Sequence, residues 1–302
     1  MKQTLYLLLS ILLVSCGTQK EDNGKLKVVT TTTMITDLVE NIGGDLIEVE
    51  GMMGSGVDPH LYKPSEGDMT KLANADIIFY NGLHLEGKLV DVFEKMDERG
   101  KSTVAISNAL DKSTLIGSDY FASNYDPHIW FDINYWTQMS HYVTETLVKN
   151  NPENKVAFEK NRDLYLEKIS ALKTELSDKI NELPQEKRIL VTAHDAFNYY
   201  GRSFKFEVVG LQGLSTATEA GVKDVQRITK FIIEHKIKAV FVESSVPRRT
   251  VEALQAAVRA QNHEVQIGGE LFSDALGSAG TDEGTYIGMY RHNVNTIVNA
   301  LK

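Results

Sequence analysis

Apolar side chains recur at helical spacing along residues 152–183. The positions concerned are Phe158, Tyr165, Ile169, Leu172, Leu176, Ile180 and Leu183. Because these residues follow one another at intervals of three, four or seven, they form a single stripe along a helix. Asn151 and Pro152 favour a helix start, and Pro184 ends the helix because the residue before a proline avoids helical dihedrals. We expect a helix of roughly 45–50 Å, at about 1.5 Å per residue.

Short β-branched or apolar runs alternate with helical patterns on both sides of this helix. The predicted strands are 27–33, 47–53, 76–80, 103–106, 188–192, 206–209, 238–242 and 264–267. The predicted helices are 34–42, 65–74, 85–98, 133–149, 197–201, 222–235, 247–260 and 284–301. This alternation predicts an α/β fold with two lobes, each built on a mainly parallel sheet of about four strands. Ligands of such sheets bind beyond the carboxyl ends of the strands.

The pattern therefore divides the chain around one linking helix, residues 151–184. An N-terminal lobe of residues 26–150 precedes it, and a C-terminal lobe of residues 185–302 follows it. The alternative is an ordinary helix inside one domain. We favour two lobes, because strand–helix units accumulate on both sides of the helix.

Residues 1–25 have the pattern of an export signal followed by a polar tether. Lys2 is a basic start, and Leu5–Val14 is an apolar run that is too short to span a bilayer. Leu13–Cys16 resembles the lipobox of bacterial lipoproteins, which implies a signal peptide of residues 1–15 and an acylated Cys16 in the tether 16–25. Acyl chains would anchor the protein to a membrane of the cell envelope, either in the periplasm or on the outer face. A plain secretory signal is the alternative.

Charge and cysteine content narrow the classes of partner and site. The 302-residue chain has a formal net charge of −9, which argues against a nucleic-acid partner. Cys16 is the single cysteine, so the domain after it has neither a disulfide nor a thiolate metal ligand.

The tripeptide Asp-Pro-His occurs twice, ending at His60 and at His128. Proline fixes its own φ and extends the preceding residue, so each histidine is presented from a stiff turn. Asp58 and Asp126 could each accept the imidazole N–H of the histidine two residues later and set its tautomer, as carboxylates next to metal ligands do.

Two further candidate ligands follow predicted strands of the second lobe. His194 follows the first of these strands, and Asp274 follows the last. Together with His60 and His128 they provide three imidazoles and a carboxylate facing one cleft, two from each lobe. Such a set suits one borderline divalent cation. The remaining histidines are interpreted as packed or surface residues: His84, His141, His235, His263 and His292.

These motifs together resemble the substrate-binding proteins of zinc, manganese and iron ABC transporters, the TroA-like or cluster A-I group. The segments that carry the resemblance are 58–65, 81–86, 126–132, the surroundings of His194, 242–247 and 268–277. The resemblance implies two α/β lobes joined by one long helix, with the metal clamped between them. The ligand positions of the family correspond here to His60, His128, His194 and Asp274.

The resemblance leaves zinc and manganese open, with iron as a minor possibility. Zinc specialists of the family often carry a histidine-rich loop, whereas Ser113–Tyr125 contains no histidine. Many manganese specialists have glutamate where this chain has His194. Three imidazoles favour zinc, since manganese prefers oxygen ligands, although the family includes three-histidine proteins linked to either metal.

The expected function is that of a carrier rather than an enzyme. A monomer would capture one Zn²⁺ or Mn²⁺ ion in the cell envelope and deliver it to a membrane permease with its ATPase. A surface adhesin is an alternative that does not need the ligands. A zinc hydrolase is a second alternative, in which Glu219, Glu243 or Glu270 would act as the general base. The linking helix contains no glycine, so we expect little movement between the lobes.

Overall fold

The computed structural model describes residues 24–118 and 121–302, so the predicted signal peptide, Cys16 and most of the tether lie outside the described residues. The strands are β1 Leu26–Thr30, β2 Ile47–Gly51, β3 Ile77–Tyr80, β4 Ser102–Ala105, β5 Ile189–Thr192, β6 Glu207–Gly210, β7 Ala239–Glu243 and β8 Gln266–Leu271. The helices are α1 Thr33–Gly43, α2 Glu66–Asn74, α3 Val90–Glu98, α4 Ile133–Asn150, α5 Lys155–Asn181, α6 Asn198–Phe204, α7 Val222–His235, α8 Arg249–Arg259 and α9 Tyr286–Leu301. Across the described part of the chain, no helix combines the length and the apolar character that crossing a membrane requires.

The N-terminal sheet is fully parallel, as predicted, with the strand order β2-β1-β3-β4. In the C-terminal half, hydrogen-bonded pairs form between β5 and β6 and between β7 and β8, again parallel. Strand β5 packs beside β7 without a continuous ladder. Just past the end of β5, the backbone N–H of His194 instead donates to the side chain of Glu243, the last residue of β7. The α/β architecture of both halves is confirmed.

The predicted long helix is present, and its apolar stripe is buried. The stripe packs against α1, α4 and α9, and all of its members are at most 3% exposed: Phe158, Tyr165, Ile169, Leu172, Leu176, Ile180 and Leu183. The start differs from the prediction, because residues 152–154 form a 3-10 turn and the α-helix begins at Lys155. Asn151 caps neither segment with its side chain, and its Oδ1 accepts from Nδ2 of Asn154 at 2.8 Å. One hydrophobic core continues from the N-terminal lobe through this helix into the C-terminal lobe.

The predicted helix 85–98 begins five residues late, at Val90. Leu83 and His84 have φ values of 52° and 63°, a left-handed conformation that no α-helix continues. The turn is held by the buried carboxylate of Glu86, which accepts the backbone N–H groups of Asn81 at 2.7 Å and Gly82 at 3.3 Å. This local network outweighs the helical pattern of the sequence.

Candidate metal centre

The four predicted ligands meet in one buried cluster between the lobes. Each of His60, His128, His194 and Asp274 offers one ligand atom, and these atoms all lie within 4.8 Å of one another. Nε2 of His194 is 3.2 Å from Oδ2 of Asp274, and Nε2 of His128 is 3.6 Å from Oδ1. Nε2 of His60 lies 3.9 Å from Oδ2. No other such group of histidines and carboxylates occurs in the described residues.

The parallel sheets explain why these residues converge. His194 lies two residues after β5, and Asp274 lies three residues after β8. His60 belongs to the loop after β2, and His128 directly precedes a 3-10 turn, Ile129–Phe131. The carboxyl ends of parallel strands face the same edge of a sheet, so both lobes present these side chains to the cleft.

Asp126 orients His128 in the predicted way. Its Oδ1 lies 2.7 Å from Nδ1 of the imidazole and also accepts the backbone N–H of His128 at 2.9 Å. Asp126 is itself held from the C-terminal lobe, because Nδ2 of Asn198 donates to its Oδ2 and the hydroxyl of Tyr199 donates to its carbonyl, both at 3.0 Å. A proton on Nδ1 leaves the Nε2 lone pair of His128 for a cation.

Asp58 does not have the role predicted for it. Its Oδ1 accepts the backbone N–H of His60 at 2.8 Å, and its Oδ2 accepts the hydroxyl of Thr216 at 2.5 Å. The repeated tripeptide therefore gives the same backbone turn at both places, while only Asp126 reaches the imidazole among the described contacts. The second oxygen of each aspartate accepts from a side chain of the C-terminal lobe, Thr216 for Asp58 and Asn198 for Asp126, so the two turns differ only in whether Oδ1 also contacts the ring.

Glu243 takes the role of imidazole partner in the C-terminal lobe, a role that the sequence did not indicate. Its Oε2 lies 2.5 Å from Nδ1 of His194, and its Oε1 accepts the backbone N–H of the same residue at 2.8 Å. Both side chains are fully buried. The one available signal was that Glu243 lies at the carboxyl end of a strand, as His194 does. Sequence alone does not show that these two strands, β5 and β7, are neighbours.

The ligand atoms have no hydrogen-bond partners in the described part of the protein. They are Nε2 of His60, His128 and His194 and both carboxylate oxygens of Asp274. An unsatisfied buried polar group costs about 1–3 kcal/mol, so five such atoms in one place are unfavourable unless something satisfies them together. A divalent cation does so, and three imidazoles with one carboxylate match the tetrahedral N/O sets of zinc.

The electrostatics of the cluster favour bound positive charge. Burial alone would raise the pKa of Asp274, but the imidazoles of His194, His128 and His60 together outweigh burial and hold that pKa below its usual value. Burial alone would lower the pKa of His194, but the carboxylates of Asp274 and Glu243 raise it well above its usual value. His194 therefore holds a proton that a metal ion must displace.

His60 differs from His194 in its protonation. Burial lowers the pKa of His60 to about 3; the carboxylate of Asp274 opposes this shift, and the neighbouring imidazoles add to it. The imidazole is therefore a neutral ligand at pH 5–7. Proton competition that weakens metal binding in that range must therefore act at the other residues of the cluster.

The remaining histidines and two of the three candidate bases, Glu219 and Glu270, lie outside the cluster. His141 is exposed on α4, and His235 stacks on Phe231 with ring centroids 4.2 Å apart. Glu219 is exposed and forms an ion pair with Arg249 at 3.5 Å. The interpretation of these histidines as surface or packing residues agrees with their positions.

The sequence matches the protein family described as zinc-uptake complex component A, periplasmic, over residues 28–300. The match covers nearly the whole of both lobes and the linking helix. The chain belongs to this family. The resemblance to substrate-binding proteins of metal ABC transporters is thereby confirmed.

Relatives of the family align along almost their full length. The chain is 48% identical to the zinc-binding protein TroA of Treponema pallidum (strain Nichols) over 280 residues, which are 92% of this chain and 90% of the relative. It is 45% identical to the manganese-binding lipoprotein MntA of Bacillus subtilis (strain 168) over 293 residues, 96% and 95% of the two chains. The solved structure of the periplasmic zinc-binding protein TroA from Treponema pallidum is similar with a TM-score of 0.89, covering 92% of this chain and 99% of the other.

Proposed function

We propose that this protein is the substrate-binding component of a metal ABC transporter, which captures Zn²⁺ or Mn²⁺ in the cell envelope and delivers it to a permease. One ion is bound per chain by His60, His128, His194 and Asp274. The observation that carries the proposal is the set of five buried, unpartnered ligand atoms at the junction of two lobes. Relatives at 45% and 48% identity are named as manganese-binding and zinc-binding proteins, which supports both metals as candidates.

The arrangement favours transport over hydrolysis. A catalytic zinc keeps an open position for water beside a general base, whereas here four protein side chains surround the candidate position. The carboxylate of Glu243, one of the proposed bases, is engaged with the ring and the backbone of His194. Glu219 and Glu270 are exposed. We therefore propose that the protein has no hydrolase activity.

The finer features of the proposal concern anchoring and assembly. We propose that the chain is a lipoprotein acylated at Cys16 and acts as a monomer beside its permease. The relative from Bacillus subtilis is named a lipoprotein, which supports the anchor. The acyl chains would keep the binding protein near the membrane while both lobes remain accessible to metal.

Metal titration with thermal melting tests this function. A ligand at about a thousandfold above its dissociation constant adds roughly 4 kcal/mol to the free energy of unfolding. We expect zinc to raise the melting temperature of the domain, and His194→Ala to abolish the shift. His141→Ala, which changes an exposed histidine outside the cluster, is the matched control and should keep it.

The same titration with manganese distinguishes the two metals. A large shift with zinc and a small one with manganese would identify a zinc-type site, in keeping with its three imidazoles. Comparable shifts would mean that selectivity lies in the metal supply or in the permease. If neither metal shifted the melting temperature of the wild-type protein, the proposed metal site would be wrong. A surface adhesin, which needs no metal ligands, would then be the favoured function.

A further inference from the structure

The two sides of the metal centre are connected to the opposite lobe to very different extents. On the His128 side, Nε1 of Trp130 donates to the carbonyl of Ser273 at 3.1 Å, and the hydroxyl of Tyr286 donates to the carbonyl of Trp130 at 2.7 Å. The hydroxyl of Tyr199 donates to the carbonyl of Asp126 on the same side. The backbone on either side of His128 and the residue before Asp274 are therefore held by bonds that cross between the lobes.

His60 lies on a loop, residues 54–64, with a single such connection. Within the described residues, one hydrogen bond joins this loop to the C-terminal lobe, from the hydroxyl of Thr216 to Oδ2 of Asp58 at 2.5 Å. The other oxygen of Asp58 accepts the backbone N–H of His60. One carboxylate therefore links a metal ligand of the first lobe to a side chain of the second.

Thr216 belongs to the segment between β6 and α7, residues 213–221, which is weakly held. Among the described residues, no backbone–backbone hydrogen bond involves residues 214–220. Thr216 is 8% exposed, whereas the three residues after it, Ala217, Thr218 and Glu219, are exposed. The segment borders a cleft of about 670 Å³, which it lines together with Gly210 and neighbouring residues of β6. Few contacts and adjacent free space allow such a segment to move without disturbing the core.

We propose that the Thr216–Asp58 hydrogen bond is a latch that closes the metal centre, and that its opening sets the rate at which metal enters and leaves. The inference rests on the proposed function, because it concerns exchange at the same four-ligand site. When the latch is broken, the loop of residues 54–64 loses its bond to the C-terminal lobe. Nε2 of His60 then leaves the ion first, while the ligands on the other side remain in place.

The chemistry of the bond suits this role. A hydroxyl donating to a carboxylate forms a charge-assisted hydrogen bond, which is shorter and stronger than a neutral one. Losing it should raise the rate of metal release about tenfold, which corresponds to 1.4 kcal/mol. Because the same opening admits the ion, the association rate should rise as well, and the dissociation constant should change less than either rate.

The test is metal exchange in Thr216→Val, which keeps the shape of the side chain and removes the hydroxyl. Zinc-loaded protein is mixed rapidly with excess chelator, and release is followed in time; association is measured by mixing metal-free protein with zinc. Thr218→Val changes an exposed threonine of the same segment and is the matched control. Thr216→Ser restores the hydroxyl, and its release rate should return to that of the wild type.

The outcomes separate the latch from the site on which it depends. Faster release and faster association in Thr216→Val, with at most a small fall in the melting temperature of the metal-free protein, would support the latch. Wild-type release rates in Thr216→Val, or equal acceleration in Thr218→Val, would overturn it while leaving the four-ligand site intact. Weaker binding without faster association would mean a general loss of structure and would also overturn it. Wild-type protein that takes up no zinc would refute the proposed function and the latch together.

Discussion

The carboxylate of Glu243 lies 2.5 Å from Nδ1 of His194, and both side chains are fully buried. Asp126 stands in the same relation to His128 at 2.7 Å. Each lobe therefore supplies one histidine with a carboxylate partner on the ring nitrogen that faces away from the cluster. Such partners fix the tautomer and raise the basicity of the ligand.

Replacing Glu243 by glutamine should weaken zinc binding 10- to 100-fold, the range usual for loss of such a partner. The amide keeps the size of the side chain but removes the negative charge that stabilises His194. Glu270→Gln is the matched control, because Glu270 is exposed. Competition with a zinc chelator of known affinity measures both variants. Equal zinc affinities of the two variants would show that Glu243 does not support metal binding.

The two aspartates of the repeated tripeptide should behave differently. Asp126→Ala removes the hydrogen-bond partner of the His128 ring and should weaken equilibrium zinc affinity at least about tenfold. Asp58→Ala removes contacts to a backbone N–H and to Thr216, so its effect on equilibrium affinity should be smaller. Isothermal titration of both variants compares them directly. A larger loss in Asp58→Ala would show that the backbone turn matters more than the tautomer.

The sequence predicted the helices and strands well because most of them have a clear period and strong end signals. The capping box of α2 is an example, since Ser65 accepts the N–H of Asp68 and Asp68 accepts the N–H of Ser65. Prediction failed at residues 85–89, which form a turn after the left-handed Leu83 and His84 instead of the first turns of a helix, and the buried carboxylate of Glu86 holds this turn. A pattern of apolar positions contains no information about such a network.

The convergence of His60, His128, His194 and Asp274 was predictable because these residues lie in distinctive motifs or directly after strands. Their partners were only partly predictable. Asp126 is local to His128, so the tripeptide indicates it. Glu243 and Thr216 reach their partners over 49 and 158 residues of sequence. Those contacts depend on the packing of strands and lobes, which one sequence alone does not specify.

Asp37 should make the stability of the metal-free protein depend on pH. Burial raises its pKa to about 6, although the backbone N–H of Tyr286, which donates to its Oδ2 at 3.2 Å, opposes the shift. The native state therefore holds a proton that the unfolded chain gives up near its ordinary value of 3.8. The stabilisation from Asp37 is present at low pH and is lost as the pH rises through about 6.

Asp37→Asn should therefore be more stable than the wild type at pH 8 and about equally stable at pH 4. A shift of two pKa units corresponds to up to about 3 kcal/mol, because one unit is about 1.4 kcal/mol. Thermal melting of the metal-free proteins at both pH values measures the difference. Asp45→Asn, at an exposed position, is the control and should follow the wild type. A lower melting temperature for Asp37→Asn at pH 8 would contradict the direction of the shift.

Metal binding should move the lobes very little. The hydroxyl of Tyr290 donates to the carbonyl of Phe131 at 2.5 Å, and the backbone N–H of Leu276 donates to Oγ1 of Thr33 at 2.8 Å. These bonds join the lobes within a shared hydrophobic core that also includes the linking helix. Wide closure would have to break them and expose buried aromatic surface, which is unfavourable.

Small-angle scattering of the metal-free and zinc-loaded protein measures this movement. A compact chain of this length has a radius of gyration of about 19 Å, and we expect the two forms to differ by less than about 1 Å. Tyr290→Phe removes one bond between the lobes and keeps the aromatic packing, so it should leave both values unchanged if the core provides the rigidity. A difference of several ångströms in the wild type would show that the lobes separate as bodies. The metal ion would then leave between the separating lobes rather than through a local opening at His60.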